Sequence, residues 1–272
     1  MNARIIIALL LAAAGLNSCA AAEKTIAVPS RAMNREFKTR IILPQTYSGS
    51  GKNYSVLYLL HGYGGDHTSW TRLVSLEELS SRYHLIFVCV NGDRNSWYID
   101  SPVEENSLFS QYIACEVVSY IDSTYRTHAI KKGRALIGSS MGGHGALTIL
   151  ARYPDIFAGA ASISGIVDLT DFPDEWELDR VLGPWKQNKE RWHRFSFAGM
   201  IDSLHNTKCM IILDCGTGDP AVDGNRKAHQ KLLSLGIRHH YCERPGKHTP
   251  RYVADAFEHH VITLGRKLLS AR

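Results

Sequence analysis

The chain has 272 residues, of which 44% are hydrophobic and 21% are charged, and its formal net charge is +5 at pH 7. This length and hydrophobic content are enough to bury the core of one large domain or of two small ones, and we expect one. The modest charge, with no cluster of Lys and Arg interleaved with aromatic residues, argues against nucleic acid as a partner.

Residues 1–22 have the pattern of a signal peptide. Arg4 supplies a positive charge, residues 5–16 form an apolar run too short to span a bilayer, and small residues follow. The sequence Leu16-Asn17-Ser18-Cys19 resembles a bacterial lipobox, in which Cys19 is lipidated and becomes the first mature residue; cleavage after Ala20-Ala21-Ala22 is the alternative. We predict export to the bacterial periplasm or, as a lipoprotein, to the outer membrane or cell surface, with a lipid anchor as the only membrane contact.

Five cysteines remain once Cys19 is set aside, and they form no Cys-x-x-Cys motif. Several lie in apolar, strand-like runs, where a free thiol behaves as a small core residue. A metal site is therefore not expected, although an oxidising compartment would allow one disulfide of unspecified pairing. The five are Cys89, Cys115, Cys209, Cys215 and Cys242.

The first half of the mature chain predicts strands that end in polar loops. Residues 24–30 and 35–43 alternate as an antiparallel pair, and the apolar runs 55–60 and 85–90 are typical of strands buried on both faces. Helices are expected over residues 69–83 and, as a crossover helix, over residues 108–125.

Two loops of this half carry candidate site residues. The run 55–60 ends in His61-Gly62-Tyr63-Gly64-Gly65, whose glycines allow the backbone N–H of Tyr63 to approach a substrate closely. The loop 91–98 ends in Trp97 and Tyr98, which are candidate substrate-binding residues. The alternative is that these two aromatic side chains cap the core.

A Gly-x-Ser-x-Gly pentad lies between the apolar run 135–137 and a helix-compatible run from residue 145 to residue 153. Such a pentad occurs by chance in many loops, but a strand before it and a helix after it are the context of a nucleophile elbow. We expect the turn to hold Ser140 in a strained conformation. Gly138 and Gly142 are needed there because a Cβ at either position would collide with the neighbouring strand or helix.

The second half continues the alternation of strands and helices. This succession predicts one α/β domain over residues 23–272, whose mostly parallel central sheet has helices on both faces. The predicted strands are 156–163, 209–214 and 239–243, and the predicted helices are 222–235 and 252–269.

Between residues 165 and 207 the alternation weakens into a polar, tryptophan-rich segment. We interpret it as a small, partial lid over about residues 166–207. Its tryptophans Trp176, Trp185 and Trp192 either cradle a flat or sugar-like substrate or pack beneath a long excursion of the chain.

A serine nucleophile needs a base, and the chain offers 13 histidines. His239-His240 and His259-His260 are adjacent pairs in a predicted strand and helix, so their side chains cannot converge on one point. His248 lies in a loop after the last strand, from which a base can reach the nucleophile.

Three aspartates compete to be the acid that orients this base. Asp214 lies within a predicted strand, and Asp223 at a helix start is better explained as an N-cap. Asp219 lies in the loop beyond the strand, where its carboxylate can meet an imidazole. The order Ser, Asp, His is the one that α/β-hydrolases use, and it predicts two-step acyl transfer. The N–H groups of Tyr63 and Met141 are the expected oxyanion hole.

Five short motifs occur in order along the chain. They are Val56-Leu57-Tyr58-Leu59-Leu60-His61-Gly62 with Gly64-Gly65, Asn95-Ser96-Trp97-Tyr98, Gly138-x-Ser140-Met141-Gly142-Gly143, Cys215-Gly216-Thr217 with Asp219 and Asn225, and Pro245-Gly246 with His248. Together they make nearly all of the mature chain resemble the putative-esterase family of α/β-hydrolases, which includes feruloyl esterases, acetyl-xylan esterases, S-formylglutathione hydrolases and mycolyltransferases. Ser140, Asp219 and His248 fall on the family's triad positions.

The resemblance implies an α/β-hydrolase fold, no cofactor, and a serine carboxylic-ester hydrolase whose substrate is a small-molecule or polysaccharide-linked ester. Many relatives carry an aromatic residue shortly after the catalytic histidine, where this chain has Thr249-Pro250-Arg251. The exported N-terminus argues against the cytosolic S-formylglutathione branch and favours bacterial esterases that remove feruloyl or acetyl groups from plant polysaccharides. The alternatives are an acyltransferase of the same fold and a non-catalytic surface protein that binds carbohydrate through its tryptophans. The sequence does not predict the oligomeric state.

Overall fold

The computed structural model describes residues 22–269, so the lipobox and Cys19 lie outside the described residues. Within that range eight strands form one sheet. The strands are β1 (Ala22–Ser30), β2 (Arg35–Leu43), β3 (Ser55–Leu60), β4 (Leu85–Val90), β5 (Arg134–Ser139), β6 (Gly159–Ile163), β7 (Met210–Gly216) and β8 (His240–Arg244).

The direction of the strands defines two ends of the sheet. Their order across the sheet is β1-β2-β4-β3-β5-β6-β7-β8. Strands β3 to β8 are parallel, and β2 is antiparallel to both β1 and β4, so β1 runs in the same direction as β4. The term carboxyl end is used below for the end of the sheet where strands β3 to β8 finish. The opposite end, where they begin and where Ala22 lies, is the amino end.

Helices cover both faces of this sheet, as the α/β prediction requires. Successive residues of a strand point to opposite faces. Accordingly, Leu57 of β3 packs in a core with Trp70 and Phe257, whereas the next residue, Tyr58, packs in the larger core on the other face. The helices are α1 (Tyr47–Ser50), α2 (Ser69–Leu73), α3 (Leu76–Tyr83), α4 (Phe109–Gln111), α5 (Val118–Thr124), α6 (Met141–Arg152), α7 (Leu178–Leu182), α8 (Trp185–Phe195), α9 (Phe197–Met200), α10 (Val222–Ser234) and α11 (Pro250–Leu269).

The predicted fold class is confirmed, and three predicted elements differ by more than a shift of one or two residues at their ends. The expected helix over residues 69–83 is two helices, because Val74 is extended at φ −141° and ψ 154° and ends α2. The crossover helix contains a π-helical segment, Tyr112–Val117. Strand β6 begins at Gly159 and not at residue 156, because Ile156 closes a turn in which its N–H donates to Tyr153 at 3.1 Å.

The segment between β6 and β7, where we predicted a partial lid, contains α7, α8 and α9. Trp192 is buried, its indole Nε1 donates to the Gly183 carbonyl at 2.9 Å, and its ring lies 5.4 Å from that of Trp185. These two tryptophans therefore pack within the segment itself, as the second of our two interpretations holds. In the described part of the chain no helix combines the length and the apolar character needed to cross a bilayer.

Candidate active site

Ser140 forms the turn between β5 and α6, with φ 56° and ψ −119°. This left-handed conformation is strained for a residue with a Cβ. The glycines on either side are required as predicted. A Cβ on Gly138 would lie 1.9 Å from the Gly142 carbonyl oxygen, and a Cβ on Gly142 would lie 2.1 Å from the carbonyl oxygen of Leu60 in β3. The tight turn holds Ser140 at the carboxyl end of the sheet.

The structure brings Ser140, His248 and Asp219 together. His248 Nε2 lies 2.9 Å from Ser140 Oγ, and His248 Nδ1 lies 2.9 Å from Asp219 Oδ2 and 3.1 Å from Oδ1. A carboxylate only accepts hydrogen bonds, so Nδ1 carries the proton and Nε2 is free to accept the Ser140 hydroxyl. The three residues follow β5, β8 and β7, three strands that end at the same side of the molecule.

Two members of this hydrogen-bonded series, Asp219 and His248, differ in exposure. The Asp219 side chain is fully buried, whereas the His248 side chain is 35% exposed, so the imidazole is open to a substrate and the carboxylate is not. Burial alone would raise the pKa of Asp219, but hydrogen bonds from His248 and from the N–H of Ala221 hold it below its ordinary value. Asp219 is therefore ionised at neutral pH and keeps the imidazole oriented.

The other two candidate acids have different partners. The buried carboxylate of Asp214 accepts hydrogen bonds from the Tyr252 hydroxyl at 2.5 Å and from His260 Nε2 at 2.8 Å. Asp223 lies in the first turn of α10, where it is paired with Arg226 at 3.0 Å. Our interpretation of Asp223 as an N-cap is wrong, since Ala221 precedes the helix and its N–H donates to Asp219 Oδ1 at 2.9 Å.

The glycine-rich loop after β3 lies against the nucleophile. A Cβ on Gly62 would stand 3.4 Å from Ser140 Cβ, which places the backbone of neighbouring Tyr63 beside the site. Met141 is the first residue of α6, where backbone N–H groups lack partners within the helix. Within residues 22–269 neither the Tyr63 N–H nor the Met141 N–H donates to another residue, so both remain available to an oxyanion.

His61 supports this loop, a role that our sequence reasoning missed. The Gly92 N–H donates to His61 Nε2 at 3.0 Å, so the proton lies on Nδ1, which donates to the Gly62 carbonyl at 2.8 Å. Burial lowers the pKa of His61, so the ring is neutral. The position of His61 at the end of a buried strand, directly before the glycines, was the signal that it belongs to the site.

Trp97 and Tyr98 do not line a substrate pocket, which corrects our first interpretation of them. Their exposed fractions are 1% and 0%. The Tyr98 ring fills the space that a Cβ on Gly92 or Gly145 would occupy, at 2.1 Å and 2.5 Å, and its hydroxyl donates to the His61 carbonyl at 3.1 Å. Tyr98 is thus part of the core that supports the loop after β3.

Metal ligands and disulfides are not found in the described residues. No group of three or more His, Cys, Asp or Glu side chains in that range is arranged to hold a metal ion. The five cysteines between residues 22 and 269 are unpaired, and Cys89, Cys209 and Cys215 among them are buried.

Comparison with known proteins places this chain in a family. The sequence profile described as "Putative esterase" matches residues 30–264. Esterase Rv1288 of Mycobacterium tuberculosis is 33% identical over 240 residues, which cover 78% of this chain and 52% of that protein. An acetyl esterase of Caldicellulosiruptor saccharolyticus is 27% identical over 232 residues, which cover 76% of this chain and 83% of that enzyme. The chain thus spans only about half the length of Rv1288.

The fold is also that of known serine hydrolases. The structure of FphF, a fluorophosphonate-binding serine hydrolase of Staphylococcus aureus, matches with a TM-score of 0.79 over 90% of this chain and 99% of that chain, at 20% identity. Mycobacterial mycolyltransferases also match the sequence, at lower identity than Rv1288.

Proposed function

The chain belongs to the putative-esterase family of α/β-hydrolases, and on this basis we propose that it is a serine carboxylic-ester hydrolase that acts through an acyl-enzyme on Ser140. One observation carries the proposal. It is the hydrogen-bonded series from Ser140 Oγ through His248 to Asp219, with 2.9 Å between Oγ and Nε2 and 2.9 Å between Nδ1 and Oδ2. Nucleophile, base and orienting acid are already within reach of one another.

In the first half-reaction the enzyme takes up the acyl group. His248 Nε2 accepts the Ser140 proton while Oγ attacks the carbonyl carbon of the ester, and the carbonyl oxygen becomes an oxyanion. The N–H groups of Met141 and Tyr63 stabilise this oxyanion. The intermediate then collapses, the alcohol leaves with the proton held by His248, and the acyl group remains on Ser140.

In the second half-reaction water removes the acyl group. His248 accepts a proton from water as the water oxygen attacks the acyl carbon, and the same proton returns to Ser140 Oγ when the acid departs. Asp219 keeps Nδ1 protonated and stabilises the imidazolium that forms in each half-reaction. None of these steps calls on a metal or a cofactor.

We propose acetyl or feruloyl esters of plant polysaccharides as the substrates. The 27% identical relative is an acetyl esterase, and the His248 side chain, 35% exposed, is open to an ester on the surface of a polymer. We also propose that the chain is exported, with Cys19 as its lipid attachment site, which would place the enzyme where polymeric substrates are found.

An acyltransferase is the second candidate function, because mycolyltransferases are among the relatives. It differs only in the second half-reaction, where an alcohol and not water attacks the acyl-enzyme. The ratio of free acid to transferred ester, measured in the presence of an added alcohol, separates the two activities. A hydrolase gives mainly free acid, and an acyltransferase gives mainly the new ester.

The substrate is tested by comparing product release from methyl ferulate, acetylated xylan and simple acyl esters, with Ser140→Ala as the inactive control. We expect wild type to release ferulate or acetate faster from the plant-type esters than from simple acyl esters, and Ser140→Ala to release neither. Equal background release from both proteins would contradict the enzyme proposal and favour a non-catalytic binding protein. Preference for simple acyl esters would contradict only the substrate.

A further inference from the structure

We propose that the amino end of the sheet docks on an anionic phospholipid surface, so that the carboxyl end and Ser140 face away from the membrane. The cations of this end come from segments far apart in the sequence. Lys52 precedes β3, Lys131 and Lys132 precede β5, Lys208 precedes β7, and Arg238 precedes β8. Because these strands are parallel, the segments before them share one end of the molecule.

Contacts join several of these segments to one another. The Tyr54 N–H donates to the Arg126 carbonyl at 3.0 Å and the His128 N–H donates to Tyr54 at 2.9 Å, which joins the segment before β3 to the segment before β5. Helix α11 also ends at this surface. Leu264, near the end of the helix, lies close to Gly159, the first residue of β6, because a Cβ on Gly159 would be 3.2 Å from the Leu264 side chain. Arg266 follows two residues later.

A cavity of about 570 Å³ lies in this surface, between the segments before β7 and β8 and the last turn of α11. None of its lining residues is acidic. Its charged or ionisable lining residues are His205, Lys208, Arg238, His239, His240 and Lys267. A concave site with this composition fits the phosphate of a lipid headgroup.

Four cations of this surface have no carboxylate partner among the described residues. Lys52, Lys132, Lys208 and Arg238 form no ion pair with any carboxylate of residues 22–269. One exposed acid, Asp155, lies in the loop before β6. Other carboxylates near this end are paired, Glu23 with Arg40, Asp122 with Arg134, Asp202 with Lys231, and Glu78 and Glu258 with Arg82, whereas Glu77, which lies beside Glu23, forms no ion pair within residues 22–269.

Apolar side chains protrude from the same surface. The described residues include three exposed large hydrophobic side chains, and two of them, Ile130 and Leu233, are each 54% exposed at this end. Ile130 directly precedes Lys131 and Lys132, and Leu233 lies in the last turn of α10. Cations around protruding aliphatic side chains are the composition that favours a lipid interface over a soluble anion.

The start of the described chain lies at this end too. Glu23 is level with Ile42 of β2, and Ile42 is level with Phe87 of β4, so Ala22 is level with the first residues of β4, with β2 between them. Cys19 precedes Ala22 by three residues, which span at most about 10 Å. A lipid on Cys19 would therefore bring the membrane to the basic surface, and Ser140 would face outward, about one strand length of roughly 20 Å further from it.

The test uses the mature chain made without residues 1–18 and with Cys19→Ser, so that neither the apolar signal run nor a lipid contributes and only the protein surface binds. We expect it to sediment with vesicles of phosphatidylcholine and phosphatidylglycerol, not with vesicles of phosphatidylcholine alone, and to be released by high salt. Equal binding to both vesicle types would overturn the proposal. So would binding to a soluble acidic polysaccharide, polygalacturonate, without binding to vesicles, which would assign the surface to such polymers.

Two pairs of variants locate the surface. Each Lys or Arg near an anionic membrane strengthens binding roughly fivefold, so the triple variant Lys132→Glu, Lys208→Glu, Arg238→Glu, which removes three positive charges and adds three negative ones, should bind at least about 100-fold more weakly. Arg31→Glu, Arg72→Glu, Arg251→Glu makes the same change in net charge outside the amino end and should bind within about threefold of the parent protein. Ile130→Ser should weaken binding, and Val103→Ser should not.

Thermal unfolding verifies that each variant is folded. Equal weakening by the two triple variants would mean that only net charge matters and would contradict the docking surface. Because vesicle binding does not involve Ser140, this result and the test of ester hydrolysis are independent.

Discussion

The Nδ1 atom of His248 lies 2.9 Å from the Oδ2 atom of Asp219, although a second buried aspartate, Asp214, lies only five residues earlier in the chain. Asp214 is held by His260 and Tyr252, at 2.8 Å and 2.5 Å. The two carboxylates therefore have separate imidazole partners, and only one of these imidazoles contacts the nucleophile. Their substitutions should separate catalysis from stability.

Asp219→Asn should lower kcat by roughly 10⁴-fold, because an amide does not hold His248 in the tautomer that accepts the Ser140 proton. Asp214→Asn should instead lower the free energy of unfolding by about 2 kcal/mol, since it removes the buried carboxylate that accepts hydrogen bonds from His260 and Tyr252. The rate of p-nitrophenyl acetate hydrolysis and urea unfolding measure the two effects. A kcat for folded Asp214→Asn as low as that of Asp219→Asn would contradict this division of roles.

Ser140→Gly should be more stable than Ser140→Ala by about 1 kcal/mol, because glycine relieves the strain of φ 56° that alanine retains. Both variants should lack activity. Urea unfolding of the pair measures the difference, and the shared loss of the hydroxyl makes Ser140→Ala the matched control. Equal stabilities would mean that the turn stores no strain.

Gly138→Ala and Gly142→Ala should each lose most activity and stability, since the added Cβ would stand 1.9 Å or 2.1 Å from a backbone carbonyl oxygen. Gly49→Ala is the control, because its Cβ would have no neighbour within 4 Å. Thermal unfolding and p-nitrophenyl acetate hydrolysis report the outcome. A Gly142→Ala protein as active as Gly49→Ala would show that α6 and β3 do not need to approach so closely.

His144 should make the protein less stable in mild acid. It lies between the Trp97 and Phe195 carbonyls, at 3.1 Å and 3.0 Å, and burial lowers its pKa from 6.5 to about 4. At pH values between about 4 and 6.5, His144 is protonated in the unfolded chain and neutral in the folded chain. Stability that is present above pH 6.5 is therefore lost as the pH falls towards 4, by up to about 3 kcal/mol.

Urea unfolding as a function of pH tests this prediction. His144→Gln should lose less stability than wild type between pH 7 and pH 4.5, whereas His205→Gln, a change of an exposed histidine, should follow the wild-type profile. If the His144→Gln and wild-type profiles are parallel, the buried imidazole is not the source of acid sensitivity.

The triad was accessible to sequence reasoning because each member follows a strand that local patterns reveal. Ser140 is marked by glycines that the close approach of backbones requires, and His248 and Asp219 follow the last two strands of a parallel sheet. Asp223 was misread because an Asx turn made by Asp219 precedes α10, so the helix starts without a side-chain cap. One carboxylate both orients His248 and accepts a backbone N–H.

The positions of the side chains around the triad could not be predicted from local sequence patterns. Whether Trp97 and Tyr98 face a pocket or the core depends on the space left by Gly92 and Gly145, which are brought to the Tyr98 ring only by the tertiary fold. The basic surface at the amino end also arises only from the tertiary fold. Lys52 and Arg238 are isolated cations in the sequence, and only the parallel order of the strands places them at one end of the molecule.

Trapping of the acyl-enzyme tests the central claim most directly. Intact-mass and peptide mass spectrometry of protein quenched during turnover of p-nitrophenyl acetate should find one acetyl group, located on Ser140. His248→Ala and Ser140→Ala should show none, and wild type should release p-nitrophenol in a burst when deacylation is the slower step. An acetyl group on another residue, or turnover by Ser140→Ala at the wild-type rate, would contradict the assignment of Ser140 as the nucleophile.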